Sequence, residues 1–295
     1  MKTNHPFRAA LWAATCAALA VALVPSQLMA APLLGSDLAS FAVLGATGVT
    51  NVPTSTIGGN LGSAPNGSVG GGYVFTSGSI QQNTVLAQGA QSDLDAAILA
   101  VTSGAANFTI AAGNGNLDAY QLVNGGFLIP GTYDVGAGTS NLLNNLVLNG
   151  LGNSNAVWRF RFSSTFIMSE DSNVSVVNVG GGAGVGIYWF ADSAATLDGD
   201  TLVGNVFARQ TISSNGGLTL GCGRLASAEA QVTLIQDRIS LGCGVAGDTG
   251  FGSGGFDQGA DVGSGGTVPE PTTLLLAGLA LAGALASRKN SSLPR

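Results

Sequence analysis

Across the second half of the chain, apolar and polar residues alternate in short bursts rather than in helical turns. Segments opening at Ala156, Gly186, Asn205 and Arg224 each begin with a β-branched or aromatic run. A second short run follows in each ("TFIM", "ATL", "TIS", "VTL"), then a third ("VSVV", "TLVG", "LTL", "ISL"), with Gly, Asn, Asp or Ser between them. Three short strands in roughly 18–24 residues is the period of a β-solenoid of triangular section. Helical repeats of that length need sustained i, i+3, i+4 apolar spacing, which these segments lack. The exception lies upstream. Leu86, Ala90, Leu94, Ala97, Ile98 and Val101 fall on one face of Thr84–Ser103, while Gln88, Gln91 and Asp95 point elsewhere. The pattern predicts an all-β coil stack with one long helix packed alongside.

Strand alternation assigns inside and outside in the second run of each coil. Phe166 and Met168 point in, with Thr165 and Ile167 out; Ala195 and Leu197 point in, with Thr196 out. Ile212 points in between Thr211 and Ser213, and Val232 and Leu234 point in beside Gln231 and Thr233. Stacked coils place the outward residues in two ranks: Thr165, Ala194, Thr211, Gln231, and Ile167, Thr196, Ser213, Thr233. Such Thr and Ser are also what any solvated solenoid surface carries.

Two adjacent segments, Gly204–Gly223 and Arg224–Gly244, both end in Gly-Cys-Gly. Equivalent residues of neighbouring coils stack about 4.8 Å apart, inside the usual disulfide Cα separation of about 4.4–6.8 Å. Cys222 and Cys243 are therefore expected to be bonded, given an oxidising compartment.

The two ends supply that compartment. Residues 1–30 carry Lys2 and Arg8, an apolar run from Ala9 to Val24, and Ala30-Ala31, the order of a secretory signal peptide, which removes Cys16 with it. At the other end Val268, Pro269, Glu270 and Pro271 precede an apolar run, Leu274–Ala286, and then Arg288-Lys289. That order resembles the PEP-CTERM sorting signal, which implies an exosortase-type enzyme as partner and a Gram-negative cell envelope or extracellular matrix as destination. The run is short for a bilayer span of about 20 residues, so transient membrane contact fits it better than a permanent anchor. Residues 248–267, rich in Gly, Ser and Asp, read as a linker. The expected organisation is signal peptide 1–30, β domain 31–247, linker 248–267 and sorting segment 268–295.

Composition narrows the function. The chain has 46 glycines, 9% charged residues and a net charge of −6. In residues 31–247 the only basic side chains are Arg159, Arg161, Arg209, Arg224 and Arg238, against well over twice as many acids. Such a domain cannot neutralise a phosphate backbone, which excludes nucleic acid as a partner. The single histidine, His5, lies in the signal, so no His-based triad or metal site is available. No cofactor is expected.

"FAVLGATGVTNVPTSTIGGNLGSAP" (Phe41–Pro65), "LIPGTYDV" (Leu128–Val135), "VWRFRF" (Val157–Phe162) and "GNVFARQTISSNGGLTLGCGRLAS" (Gly204–Ser227) resemble the microbial ice-binding proteins. The resemblance covers nearly all of Ser36–Cys243. It implies a right-handed triangular β-helix with the long helix on one face and another flat face meeting ice. It assigns the ice face to the strands bearing Thr165, Ile167, Thr196, Thr211, Ser213, Gln231 and Thr233. After Pro65 this chain has only "NGSVGGG", where some members carry a larger capping insertion. Two other uses stay open. Glu170, Asp171, Asp198 and Asp200 come from neighbouring coils and could serve glycoside chemistry or hold Ca²⁺, although acidic corner residues are common for turn geometry alone. A rigid acidic rod could also be a structural or adhesive matrix protein binding exopolysaccharide.

Overall fold

The computed structural model describes residues 33–180 and 184–242. Cys16, Cys243, the signal, the linker and the sorting residues Val268, Pro269, Glu270 and Pro271 lie outside them.

After a short helix α1 (Ser36–Ala39), the first coil is β1 (Phe41–Gly45), β2 (Gly48–Val52) and β3 (Ser55–Gly58). The second is β4 (Asn60–Ser63), β5 (Ser68–Val69) and β6 (Tyr73–Ser77), followed by β7 (Ile80–Gln82). Helix α2 (Val85–Thr102) leads to β8 (Phe108–Ile110), helix α3 (Asn116–Val123), β9 (Gly131–Val135) and β10 (Asn145–Asn149). Four regular coils close the domain: β11 (Val157–Phe162), β12 (Phe166–Met168), β13 (Asn173–Val177); β14 (Gly186–Ala191), β15 (Ala195–Leu197), β16 (Thr201–Val203); β17 (Asn205–Ala208), β18 (Ile212–Ser214), β19 (Thr219–Gly221); and β20 (Leu225–Ser227), β21 (Gln231–Ile235), β22 (Arg238–Ser240).

Outside β7–β10, successive strands visit three parallel sheets in turn. Sheet A is ordered β7-β4-β1-β20-β17-β14-β11-β9-β8, sheet B β12-β15-β18-β21-β2-β5, and sheet C β10-β13-β16-β19-β22-β3-β6. The coils from Ala156 onward stack in chain order, as their period predicts. The first coil does not continue that order. It docks on the last one, with β1 against β20, β2 against β21 and β3 against β22.

Arg224 clips this seam. Its buried guanidinium donates to the Phe41 carbonyl at 3.2 Å, the Ala39 carbonyl at 3.3 Å and the Asn205 side-chain oxygen. Burial lowers its pKa to about 10, so it stays charged.

The interior between the sheets is filled by ranks of side chains. On sheet A, Tyr133, Phe160 and Trp189 are direct register partners, and their rings stack at 5.0 and 4.3 Å. Helix α2 begins at Thr84, whose hydroxyl accepts from the Ala87 amide at 3.2 Å, a side-chain N-cap. Its Ala87, Ala90, Leu94, Ala97, Ile98 and Val101 pack on the outer side of sheet A with Phe41, Leu44, Tyr188, Phe190 and Phe207. Eighteen residues span about 27 Å, enough to cross several strands. Strands β1, β14, β17 and β20 are consequently buried on both faces, which is why they read as unbroken apolar runs. Among the described residues no helix is long and apolar enough to cross a membrane.

Candidate binding face

The outer sides of the three sheets differ in what they offer. Sheet A lies beneath α2. On sheet C, Asn145, Asn173, Thr201, Thr219, Arg238, Thr56 and Val74 share one register rank. Threonines occur there, but the exposed guanidinium of Arg238 interrupts them. Among the described residues, sheet B carries neither cover nor charge on its outward ranks.

Its main rank is continuous. Ile167 pairs with Thr196, Thr196 with Ser213, Ser213 with Thr233, and Thr233 with Thr50. In β12, β15 and β18 the flanking residues are fully inward, and the middle residue is half-buried among its neighbours. The Thr50 hydroxyl donates to the Thr233 hydroxyl at 3.2 Å, across 183 residues of sequence. Thr165, Ala194 and Thr211 sit one residue before their strands and are half-buried, and Gln231 opens β21 exposed. They form the second rank that the alternation predicts. Beyond the main rank, Val52 pairs with Ile235 and is 54% exposed.

Thr50 and Val52 are not among the residues the repeat reading assigned to this face. They join it only because the first coil docks on the last. A signal was present in "GVTNV" of Gly48–Val52, which places Val-Thr as "QVTLI" does in Gln231–Ile235.

Neither rank holds a titratable side chain. Charges sit at the corner between sheets A and B, where Arg209 meets Asp192 at 2.6 Å and Gln210 donates to Glu229 at 3.1 Å. Parallel strands about 4.8 Å apart, with outward residues every second position, make a flat two-rank net. It can present methyls and hydroxyls at fixed spacing.

The four carboxylates of the middle coils occupy corners. Glu170, Asp171 and Asp200 are exposed, and Asp198 is half-buried. Among the described residues no three His, Cys, Asp or Glu side chains are grouped to hold a metal. Cys222 is buried and disulfide-bonded. Its amide donates at 3.2 Å to the carbonyl of Gly242, the residue before Cys243. The glycine after it is required by close approach, since a Cβ at Gly223 would lie 1.7 Å from the Gly204 carbonyl oxygen.

A family model described as Ice-binding-like matches residues 43–240, more than half of the chain. The chain belongs to the ice-binding-like family. A PEP-CTERM protein-sorting motif matches residues 267–289. An ice-binding protein of Nostoc sp. (strain HG1) is 31% identical over 212 residues, covering 69% of this chain and 72% of its own. Among solved structures, the ice-binding protein of an Antarctic Flavobacteriaceae bacterium matches at TM-score 0.59 and 26% identity, over 71% of this chain and 48% of that one. That of the Antarctic ascomycete Antarctomyces psychrotrophicus matches at TM-score 0.58 and 25% identity, over 70% of this chain and 98% of that one.

Proposed function

We propose that this family member is exported, sorted to the bacterial surface through its PEP-CTERM motif, and binds ice through the outward ranks of sheet B. The observation that carries the assignment to this face is the in-register, uncharged rank Ile167–Thr196–Ser213–Thr233–Thr50 on a sheet that none of the described residues covers. Ice recognition needs a flat, rigid surface that holds water in a lattice-like array. Threonine suits this because its χ1 is stiff and it carries both a methyl and a hydroxyl. Backbone pairing on both sides of each strand supplies the rigidity. Gln231 and Ile167 make the ranks irregular, and activity is accordingly moderate.

Finer features belong to the same reading. The coils wind as a right-handed triangular solenoid, and Cys222 bonds Cys243. Residues 1–30 are removed as a signal, residues 248–267 link the domain to the sorting segment, and the destination is a Gram-negative envelope or matrix. The exosortase-type enzyme meets Val268–Pro271 while Leu274–Ala286 sits transiently in the membrane. The family is non-enzymatic, and no catalytic step is assigned to Glu170, Asp171, Asp198 or Asp200.

Ice-recrystallisation inhibition by the exported protein tests the reading. Activity is expected in the wild type and is expected to fall in Thr196→Tyr, whose ring lifts the surface off the lattice across neighbouring coils. Retained activity in a folded Thr196→Tyr protein moves ice contact to another face. A wild type inert towards ice leaves matrix adhesion through exopolysaccharide as the function.

A further inference from the structure

The two ends of the coil stack are finished differently. At the β8–β10 end, polar side chains occupy the open edge. Gln121 of α3 accepts from the Val147 amide at 2.6 Å and donates to the Asn145 carbonyl at 2.9 Å. Asp118 accepts from the Leu143 amide at 2.8 Å, and Asn114 from the Ser140 amide at 3.0 Å. These bonds satisfy backbone groups that no further coil pairs.

At the other end, β5, β6 and β7 are the last strands of sheets B, C and A. Side chains reach the carbonyls that flank β5, Gln82 donating to Gly67 and Tyr73 to Gly70, each at 2.9 Å; among the described residues none bonds the backbone of the three strands themselves. Their core-facing side chains have no coil above them. Ile80 pairs with Leu61, Val69 with Val49 and Phe75 with Ile57. The three partners are fully buried, yet Ile80 is 46% exposed and Val69 and Phe75 are only half-buried. One apolar side chain from each sheet is therefore left partly uncovered at this end, Val69 and Phe75 while packed against the core below them.

Edge strands in soluble proteins are normally blunted by charge, proline or a covering element, and terminal coils by a polar cap. Here residues 38–92 contain no Asp, Glu, Lys, Arg or His. The register shift between Ile57 and Gly58 lies on the inner side of β6, where it meets β3, and not on its free edge.

We propose that the β5–β6–β7 end is a docking surface for a second copy of this chain, joined by the same end about a two-fold axis. Three features select that occupant. Unpaired strand edges are matched by strand edges, and at the opposite end α3 and its polar side chains already occupy the edge of β10. Two copies of a chain with net charge −6 repel least where both are uncharged. A two-fold axis also turns the partner's strands antiparallel, so β6 meets its own mate with matching length. The inference is independent of ice, since association is read in solution.

Sedimentation velocity on the exported chain tests it. The wild type is expected to sediment at twice the chain mass, and Ile80→Lys, which sets like charges against each other, at once the chain mass with an unchanged circular dichroism spectrum. Should Ile80→Lys fail to fold, Ser77→Lys on the exposed edge of β6 carries the same expectation. Asn173→Lys, on β13 away from this end, is expected to stay dimeric. A monomeric wild type overturns the proposal, including the case in which residues 243–295 cover this end themselves. A dimer that survives both edge variants, or one lost equally in Asn173→Lys, overturns it too.

Discussion

Replacing Arg224 by methionine isolates the energy of the seam between first and last coils. Methionine keeps most of the side-chain volume, so the cavity cost stays small. What is lost are the bonds to the Phe41 and Ala39 carbonyls and to Asn205. Hydrogen bonds from a charged donor contribute about 1.5–3 kcal/mol each, and a buried acceptor left bare costs about 1–3 kcal/mol. Relief of the desolvated guanidinium offsets part of this, leaving a net loss of about 3 kcal/mol. For a domain of this size each kcal/mol moves the Tm by about 2–4 °C, so the expected drop is about 6–12 °C. Circular dichroism melts read the drop, and native-state hydrogen exchange locates it. Amides of Phe41–Ser63 are expected to gain exchange first, because their coils are held to the stack through this seam. A Tm shift under about 2 °C, or exchange that rises evenly across all coils, refutes the role assigned to Arg224.

Other outcomes follow from the same contacts. Intact mass of the exported protein is expected to rise by two hydrogens on reduction, and Cys222→Ser to lose about 3 kcal/mol of stability in chemical denaturation; two freely alkylatable thiols in the folded, unreduced protein contradict the pairing. Removing Val268–Arg295 is expected to release the domain from its producing cell without changing its melting curve, as fractionation and calorimetry will show. Asp237 accepts from Ser214 and from the Leu218 and Ile235 amides, yet burial raises its pKa above the ordinary carboxylate value. Folding therefore takes up a proton there, and the cost of ionising it disappears as pH falls through the raised value. Wild type is expected to gain Tm relative to Asp237→Asn on acidification, and a flat difference shows no such penalty. Since neither rank of sheet B titrates, ice-recrystallisation inhibition is expected to stay constant from about pH 5 to 9 wherever the fold is intact.

Much of this architecture is written locally. The triplet of short runs after Ala156 gave the three sheets. Alternation in "ATL" and "QVTLI" gave the side on which Thr196 and Thr233 emerge, and the caps at Thr84 and Ser103 bound the helix that covers sheet A. Docking of β1–β3 on β20–β22 is not written locally, because periodicity reports how a coil closes and not which coil edges meet. Thr50 and Val52 therefore reach the candidate face through a contact between distant parts of the chain. Helix α3 was missed for a related reason. Eight residues carry too little periodicity to stand out, and its role as an edge cap depends on where β10 ends. In sequence Arg224 stands only as the opening residue of a coil and one of the domain's five basic side chains; its burial reflects the coil that arrives from the N-terminal side.

The central claim is that sheet B, and not sheet C, meets ice. Partition of fluorescently labelled protein into slowly growing ice measures this directly. Two variants share chemistry and differ only in sheet: Thr233→Tyr in the main rank of sheet B and Thr219→Tyr in the corresponding rank of sheet C. Both side chains face outward, so stability should change by no more than about 0.5 kcal/mol. Thr233→Tyr is expected to be excluded from the ice while Thr219→Tyr enters it like wild type. Exclusion of Thr219→Tyr together with wild-type incorporation of Thr233→Tyr contradicts the account.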